Sequence, residues 1–274
     1  MKRDIISLKK TAQEIRAIVI AAIAEAGSGH TGGSLGLADV FTALYFNLLN
    51  HNPKQPNWKY RDRLVLSIGH VAPVYYASLA KAGYFSENEL LSLIKLGSRL
   101  QGHPGRDHGL PGIELSAGSL GQGLSVGIGM ALAGKIDDEK WKVCVILGDG
   151  ELQEGSVWEA AMSAAHHKLD NLIAIVDRNF VQIDGTISSV MELEPLSDKL
   201  KAFGWQVFNC NGNDIQEFIE TYHKALKIKE KPSIIIAETK MGKGVSSIEN
   251  DYTWHGKAPS KTLANKFINE ILKI

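Results

Sequence analysis

Short apolar runs that alternate with helical segments constrain the fold of this sequence most. Residues typical of β-strands recur at 63–67, 143–147, 172–177, 205–209 and 233–238. Helical spacing of apolar residues predicts helices at 8–26, 74–83, 155–167, 214–229 and 261–274. Such alternation predicts a mainly parallel sheet, and the continuous apolar strands indicate helices on both of its faces. The fold class is therefore α/β, with a single domain over residues 1–274.

Charge and hydropathy exclude several classes of partner. Basic and acidic residues balance at 30 each, so no net field attracts nucleic acid. The longest apolar stretch, residues 15–26, contains Arg16 and Glu25 and is shorter than the ~20 residues of a membrane span. The basic start is followed by an amphipathic pattern, unlike a signal peptide, so we expect a cytoplasmic protein. Cys144 and Cys210 form neither a disulfide framework nor a metal motif.

The run at 143–147 leads directly into Gly148-Asp149-Gly150, and a predicted helix follows. In an open parallel sheet, ligands bind at the carboxyl ends of strands, where glycines let the backbone approach them closely. The N-terminus of the following helix favours an anion. A tight turn explains this motif equally well when it is considered alone.

The next strand along the chain favours a ligand site over a tight turn, because that strand ends near Asn179. A right-handed crossover brings consecutive parallel strands close together, so the side chains of Asp149 and Asn179 can reach one ion. A carboxylate, an amide oxygen and a main-chain carbonyl form a partial shell of oxygen ligands. Such a shell suits Mg²⁺ or Ca²⁺, with diphosphate oxygens and water completing it.

Histidines form the second notable group. Four of them lie in turns or among small residues: His30, His70, His103 and His255. Any one of them alone is more readily explained as a turn residue, but together they suit proton transfer and hydrogen bonding to hydroxyls or phosphates. The other five have no such context, and we expect structural roles for them: His51, His108, His166, His167 and His223.

Gly-Asp-Gly followed about thirty positions later by Asn resembles the thiamine-diphosphate motif. The histidine segments, the loop at 116–123 and the late Trp254-His255-Gly256-Lys257-Ala258-Pro259 resemble the transketolase family in particular. This resemblance implies a thiamine-diphosphate-binding fold, and specifically its diphosphate-binding domain. It covers almost the whole chain, yet only the first third of a full transketolase.

The resemblance also implies roles for individual residues. Asp149 and Asn179 would hold Mg²⁺, or Ca²⁺ or Mn²⁺ in its place, through their side chains, and Val181 would do so through its carbonyl. The sugar would face His30, His103 and His255. The implied contacts to thiamine diphosphate are His70, Gly118, Ser119, Leu120, Gly148, Asp149, Gly150, Glu154, Asn179, Ile183 and His255.

The implied activity is transfer of a two-carbon ketol unit from a ketose phosphate to an aldose, through an adduct on thiamine diphosphate. The pyrimidine-binding and C-terminal domains would lie on a partner chain, in an α2β2 heterotetramer, and this chain alone would be inactive. The sequence departs from the family pattern at three positions, none of them an implied metal ligand. They are Thr31 and Ser119, where proline is usual, and Phe180, where a small residue is common.

Other functions stay open at this point. An α-type subunit of a 2-oxo acid dehydrogenase and a half of deoxyxylulose-phosphate synthase share the cofactor motif, although the histidines favour transketolase. A non-catalytic cofactor-binding subunit is a further alternative.

The segment 239–244 resembles a phosphate-binding loop but lacks the glycine spacing and the final Ser or Thr of a nucleotide site. Small residues at 123, 127 and 131 predict tight packing of a helix against other helices.

Overall fold

The computed structural model describes residues 4–273. Residues 1–3, part of the predicted non-signal N-terminus, and residue 274, the predicted end of the last helix, lie outside the described residues. The helices are α1 (Ile5–Ala26), α2 (Thr31–Gly36), α3 (Ala38–Ala43), α4 (Ala72–Ala82), α5 (Gly123–Ile136), α6 (Gly155–His166), α7 (Ile187–Val190), α8 (Leu196–Ala202), α9 (Ile215–Ala225) and α10 (Lys261–Leu272). The strands are β1 (Arg63–Leu66), β2 (Val143–Gly148), β3 (Leu172–Arg178), β4 (Val181–Gln182), β5 (Gly185–Thr186), β6 (Gln206–Asn211) and β7 (Ser233–Glu238).

Five of these strands form one parallel sheet in the order β1-β2-β3-β7-β6. Strands β2 and β3 are direct neighbours, and Gly148 at the end of one pairs with Asp177 in the other. The predicted parallel α/β fold is confirmed. The carboxyl ends of β2 and β3 therefore lie side by side, as the crossover argument requires.

Alternate side chains of the central strands enter two separate cores. Cys144 and Ile146 of β2 pack into a core with residues of α1, α3, α4, α9 and α10. Val145 and Leu147 of the same strand pack into a second core with residues of α5, α6 and α8. Successive side chains of a strand point to opposite faces, so these two cores cover both sides of the sheet with helices. This confirms the prediction of a doubly covered sheet.

The first helix leads directly into the loop that carries His30. The side chain of Asp4 accepts a hydrogen bond from the amide of Ser7 at 2.9 Å and caps the start of α1. Gly27 ends the helix in the left-handed conformation, with φ of 68°. The chain then turns through small residues and enters α2 directly after His30.

Several elements differ from the sequence prediction. The hairpin β4–β5 and the short helices α2, α3, α7 and α8 were not predicted, since each has seven residues or fewer and is too short for a clear periodic pattern. Helix α9 ends at Ala225, before the predicted end at residue 229. The segment 246–260, where the sequence predicted neither a helix nor a strand, contains a 3-10 turn, Tyr252–Trp254, whose Trp254 is buried.

Helix α5 contacts α6, as predicted, but its glycines at 123 and 127 face the sheet and not another helix. A methyl group at Gly123 would meet Ser67, and one at Gly127 would meet Val145 at 2.5 Å. This face of α5 therefore lies against the sheet, where only glycine lets the helix come so close. Within residues 4–273, no helix is long and apolar enough to cross a membrane.

Candidate active site

Asp149 lies just beyond β2 and is almost fully buried. Its Oδ1 accepts a hydrogen bond from the amide of Gly150 at 2.8 Å. Its Oδ2 accepts from the amide of Phe180 at 2.7 Å and from the guanidinium of Arg178 at 3.3 Å. The carboxylate thus joins the end of β2 to the end of β3.

The backbone conformation of Phe180 explains why a small residue is common at this position. Its φ of 65° lies in the left-handed region, which L-residues with a side chain seldom adopt. The hydrogen bond from its amide to Asp149 stabilises this conformation, and the guanidinium of Arg178 lies 4.3 Å from the centre of its ring. The aromatic side chain itself is 45% exposed.

Asn179 is held by a second buried carboxylate, Asp177, at the end of β3. The amide nitrogen of Asn179 donates to Asp177 at 2.9 Å, and the hydroxyl of Thr239 donates to the same carboxylate. The Asn179 carbonyl oxygen accepts from the amide of Val181 at 3.1 Å. These contacts fix which end of the Asn179 side chain is nitrogen and leave its oxygen with a further lone pair.

The acidic pair lacks matching positive charge. Burial raises the pKa of Asp149 to about 6 and that of Asp177 to about 7, because loss of solvent around each carboxylate outweighs the hydrogen bonds that favour its charged form. Arg178 pairs with Asp149 but also with Glu194, at 2.9 Å. A divalent cation on the oxygens of Asp149 and Asn179 would compensate this charge, so the donor set fits Mg²⁺. No cluster of three or more His, Cys, Asp or Glu side chains suited to a metal occurs within residues 4–273.

The four histidines from turn contexts come together in space. The ring centre of His30 lies 5.1 Å from that of His70, 6.1 Å from that of His103 and 5.7 Å from that of His255. The rings of His70 and His255 are 5.0 Å apart. His30 follows α1, His70 follows β1, His103 lies in a loop, and His255 follows β7. Only the tertiary fold therefore brings these four residues together.

Three of these imidazoles are neutral at pH 7. Burial, with smaller contributions from neighbouring histidines, lowers the pKa of His30 to about 4 and that of His70 to about 3. Burial also lowers the pKa of His255. A neutral imidazole has one donor and one acceptor nitrogen, so it can bind a hydroxyl and exchange a proton with it. The Nδ1 atom of His255 is buried and has no partner among the described residues, which leaves it available to a bound group.

The histidines and the acidic residues line one cavity of about 410 Å³. Of the residues that the sequence pointed to, those lining it are His30, His70, His103, Gly118, Leu120, Gly148, Asp149, Gly150, Glu154, Asn179, Val181, Ile183 and His255. Ser119 lies on the same loop but is exposed and is not part of the lining. None of the other five histidines lines the cavity, and His51 packs on Tyr84 instead.

Comparison with known proteins decides the family. The family described as "Transketolase, thiamine diphosphate binding domain" matches residues 7–266. The chain belongs to the transketolase family. It matches the thiamine-diphosphate-binding domain of that family over nearly its whole length, and the resemblance predicted from the sequence is confirmed.

Two relatives of this transketolase chain are themselves separate subunits. An apulose-4-phosphate transketolase subunit from Phocaeicola vulgatus is 40% identical over 265 residues, which cover 97% of this chain and 94% of the relative. The 6-deoxy-6-sulfo-D-fructose transketolase subunit SqwG of Clostridium sp. is 41% identical over 273 residues, covering 100% and 99%. This chain is therefore similar to separate transketolase subunits from end to end.

Larger transketolases share the same fold over part of their length. The crystal structure of transketolase from Campylobacter jejuni superimposes with a TM-score of 0.92 at 33% identity. The match covers 98% of this chain but 43% of the Campylobacter chain. The chain thus spans less than half the length of that protein.

Five residues of the transketolase cavity were not predicted from the sequence: Ile68, Glu151, Gln153, Asp177 and Gln182. Asp177 and Glu151 adjoin the predicted motif, so a systematic search of the residues flanking Asp149 and Asn179 would have found both. Their hydrogen bonds to Thr239 and Ser67 join residues 62 and 84 positions apart, which sequence spacing does not reveal.

Proposed function

We propose that this chain is the cofactor-binding subunit of a two-component transketolase. It would transfer a two-carbon ketol unit from a ketose phosphate to an aldose acceptor. The observation that carries this proposal is that four histidines share one cavity with Asp149 and Asn179. The end-to-end similarity to proteins named as transketolase subunits supports it independently.

The single domain over residues 1–274 would act together with a partner subunit that supplies the pyrimidine-binding and C-terminal domains, as an α2β2 heterotetramer in the cytoplasm. Support comes from the Campylobacter transketolase, of which this chain matches 43%. Ile183 also supports it, because it lines the cavity and is still 61% exposed. Covering an apolar side chain in that position with a cofactor ring and a partner surface is favourable, because it removes apolar surface from water.

Asp149 and Asn179 would bind Mg²⁺ through their side-chain oxygens, and Val181 through its carbonyl; Ca²⁺ or Mn²⁺ would suit the same oxygens. Asp177 would orient Asn179 through the hydrogen bond between them. Gly148, Gly150, His70 and His255 would hold the diphosphate. Gly118, Ser119, Leu120, Glu154 and Ile183 would contact the rest of the cofactor.

When bound, thiamine diphosphate supplies a nucleophilic carbon that accepts the ketol unit. The protein orients the sugar beside it and moves protons. His30, His103 and His255 would hydrogen-bond sugar hydroxyls, and the neutral state of His30 and His255 at pH 7 lets each accept a proton directly. Closely packed imidazoles would also exclude water from this part of the cavity.

The sugar would be a phosphorylated ketose or an analogue with a sulfonate in place of the phosphate. One relative is named for a sugar phosphate and another for a sulfonated sugar. The chain departs from the family pattern at Thr31, Ser119 and Phe180, so the range of donors to be tested extends beyond the common pentose phosphates.

The experiment is donor profiling of the chain co-expressed with its partner subunit. Transfer from one phosphorylated or sulfonated ketose to an aldose, dependent on thiamine diphosphate and Mg²⁺, is the expected result. His30→Ala, His103→Ala and His255→Ala should each reduce kcat by at least about 100-fold, whereas exposed His166→Ala should not. Full activity in all three variants would instead indicate a non-catalytic subunit.

A further inference from the structure

Glu151 makes a set of contacts that none of the roles above uses. It follows Gly150 directly, lines the cavity and is 1% exposed. Its Oε1 accepts hydrogen bonds from the hydroxyl of Ser67 and from the main-chain amide of Gly121, the latter at 2.8 Å. Its Oε2 accepts from the amide of Gly148 at 3.2 Å.

These three donors belong to three separate parts of the fold. Ser67 follows β1, Gly121 lies in the loop before α5, and Gly148 ends β2. The Ser67 hydroxyl also accepts a hydrogen bond from the amide of Gly123 at 3.0 Å, which adds a second link to that loop. All partners of Glu151 donate, and an ionised carboxylate is a group that only accepts.

The loop before α5 depends on such contacts because it contains no regular secondary structure between residues 113 and 118. Gly121 has a φ of 82°, and its carbonyl accepts from the Ser156 hydroxyl at 3.0 Å. Buried main-chain amides need partners, and here a side chain supplies what a helix or sheet would otherwise supply. Gly118 and Leu120 of this loop line the cavity.

We infer that Glu151 is a positioning residue for the cofactor. It holds the loop with Gly118 and Leu120 and the diphosphate loop at Gly148 in one fixed arrangement, so both ends of thiamine diphosphate meet preformed walls. This inference rests on the proposed function. Glu151 would act through these loops, without contact to the reacting atoms.

Glu151→Gln in the complex with the partner subunit tests this directly. A glutamine has the same shape but must point its NH2 group at one of the donors, which breaks at least one hydrogen bond. The dissociation constant and the KM for thiamine diphosphate should rise about tenfold, with a smaller change in kcat at saturating cofactor. Hydrogen exchange should accelerate in residues 117–123 and at the amide of Gly148, and stay unchanged in residues 143–147 of β2 and in β3.

The matched control is Glu159→Gln, an exposed position on α6 that should change neither measurement. Ser67→Ala is a second variant, since it removes the hydrogen bonds of the Ser67 hydroxyl to Glu151 and from Gly123 and leaves the carboxylate in place. In the double variant S67A/E151Q the combined effect should be smaller than the sum of the two single effects, because both act on the same loop.

Wild-type cofactor affinity and wild-type exchange in a folded E151Q complex would overturn the inference. If E151Q does not fold, S67A decides, and unchanged exchange in residues 117–123 would overturn it equally. Failure of the wild-type complex to bind thiamine diphosphate would contradict the proposed function instead. The exchange measurement would then still test whether Glu151 holds the loop.

Discussion

The hydroxyl of Thr31 donates a hydrogen bond of 2.6 Å to the carbonyl of Lys257. It thereby links the segment that carries His30 to the segment that carries His255. These two histidines are far apart in the sequence, but their ring centres lie 5.7 Å apart. A proline, which is usual at position 31 in the family, has no hydroxyl and could not make this link.

Thr31→Val should therefore loosen the contact between these two segments. The side chain keeps its shape but loses this partly buried hydrogen bond, which should lower the free energy of unfolding by about 1–2 kcal/mol. Thr31→Ser keeps the hydroxyl and should stay within about 1 kcal/mol of wild type. Chemical denaturation compares them, and equal destabilisation by both variants would show that the hydrogen bond is not the cause.

Asp149→Asn should abolish tight binding of Mg²⁺ with thiamine diphosphate. Loss of the charge weakens a metal ligand, and affinity should fall by at least about tenfold in calorimetric titration. Asp198→Asn, at an exposed position on α8, is the matched control and should bind as wild type does. Undiminished affinity in Asp149→Asn would remove the metal site from this account.

Titration of the imidazoles tests the electrostatics of the cavity. Burial disfavours the imidazolium, so the pKa values of His30 and His70 lie below the ordinary value of 6.5, at about 4 and about 3. Their NMR signals should consequently stay constant from pH 8 down to about pH 5 and shift only below it. A midpoint near 6.5 for either ring would contradict the burial that the structure shows.

Two glycines on α5 should respond in opposite ways to alanine. A methyl group at Gly127 would meet Val145 at 2.5 Å, whereas one at Gly129 meets nothing within 4 Å. Gly127→Ala should lower the free energy of unfolding by about 1–3 kcal/mol through overpacking. Gly129→Ala should raise it by up to about 1 kcal/mol through helix propensity. Thermal unfolding of the chain measures both, and similar effects would place α5 differently on the sheet.

The sequence predicted the α/β fold because strands β2 and β3 are long apolar runs with clear ends, and those ends carry the motif residues Asp149 and Asn179. Neighbouring positions for the two residues followed from the handedness of the crossover. Turn contexts singled out the four histidines, but only the family resemblance implied that they share one site, since loops and not periodic elements bring His30 and His255 together. Glu151 was missed because its partner Ser67 is 84 positions away in the chain.

Ketol transfer by the purified chain, with and without its partner subunit, tests the central claim most directly. With thiamine diphosphate, Mg²⁺ and a ketose phosphate, we expect no turnover by the chain alone and full turnover by the complex. Turnover by the chain alone would contradict the split site. A complex that binds the cofactor yet transfers no ketol unit from any phosphorylated or sulfonated ketose would contradict the proposed reaction.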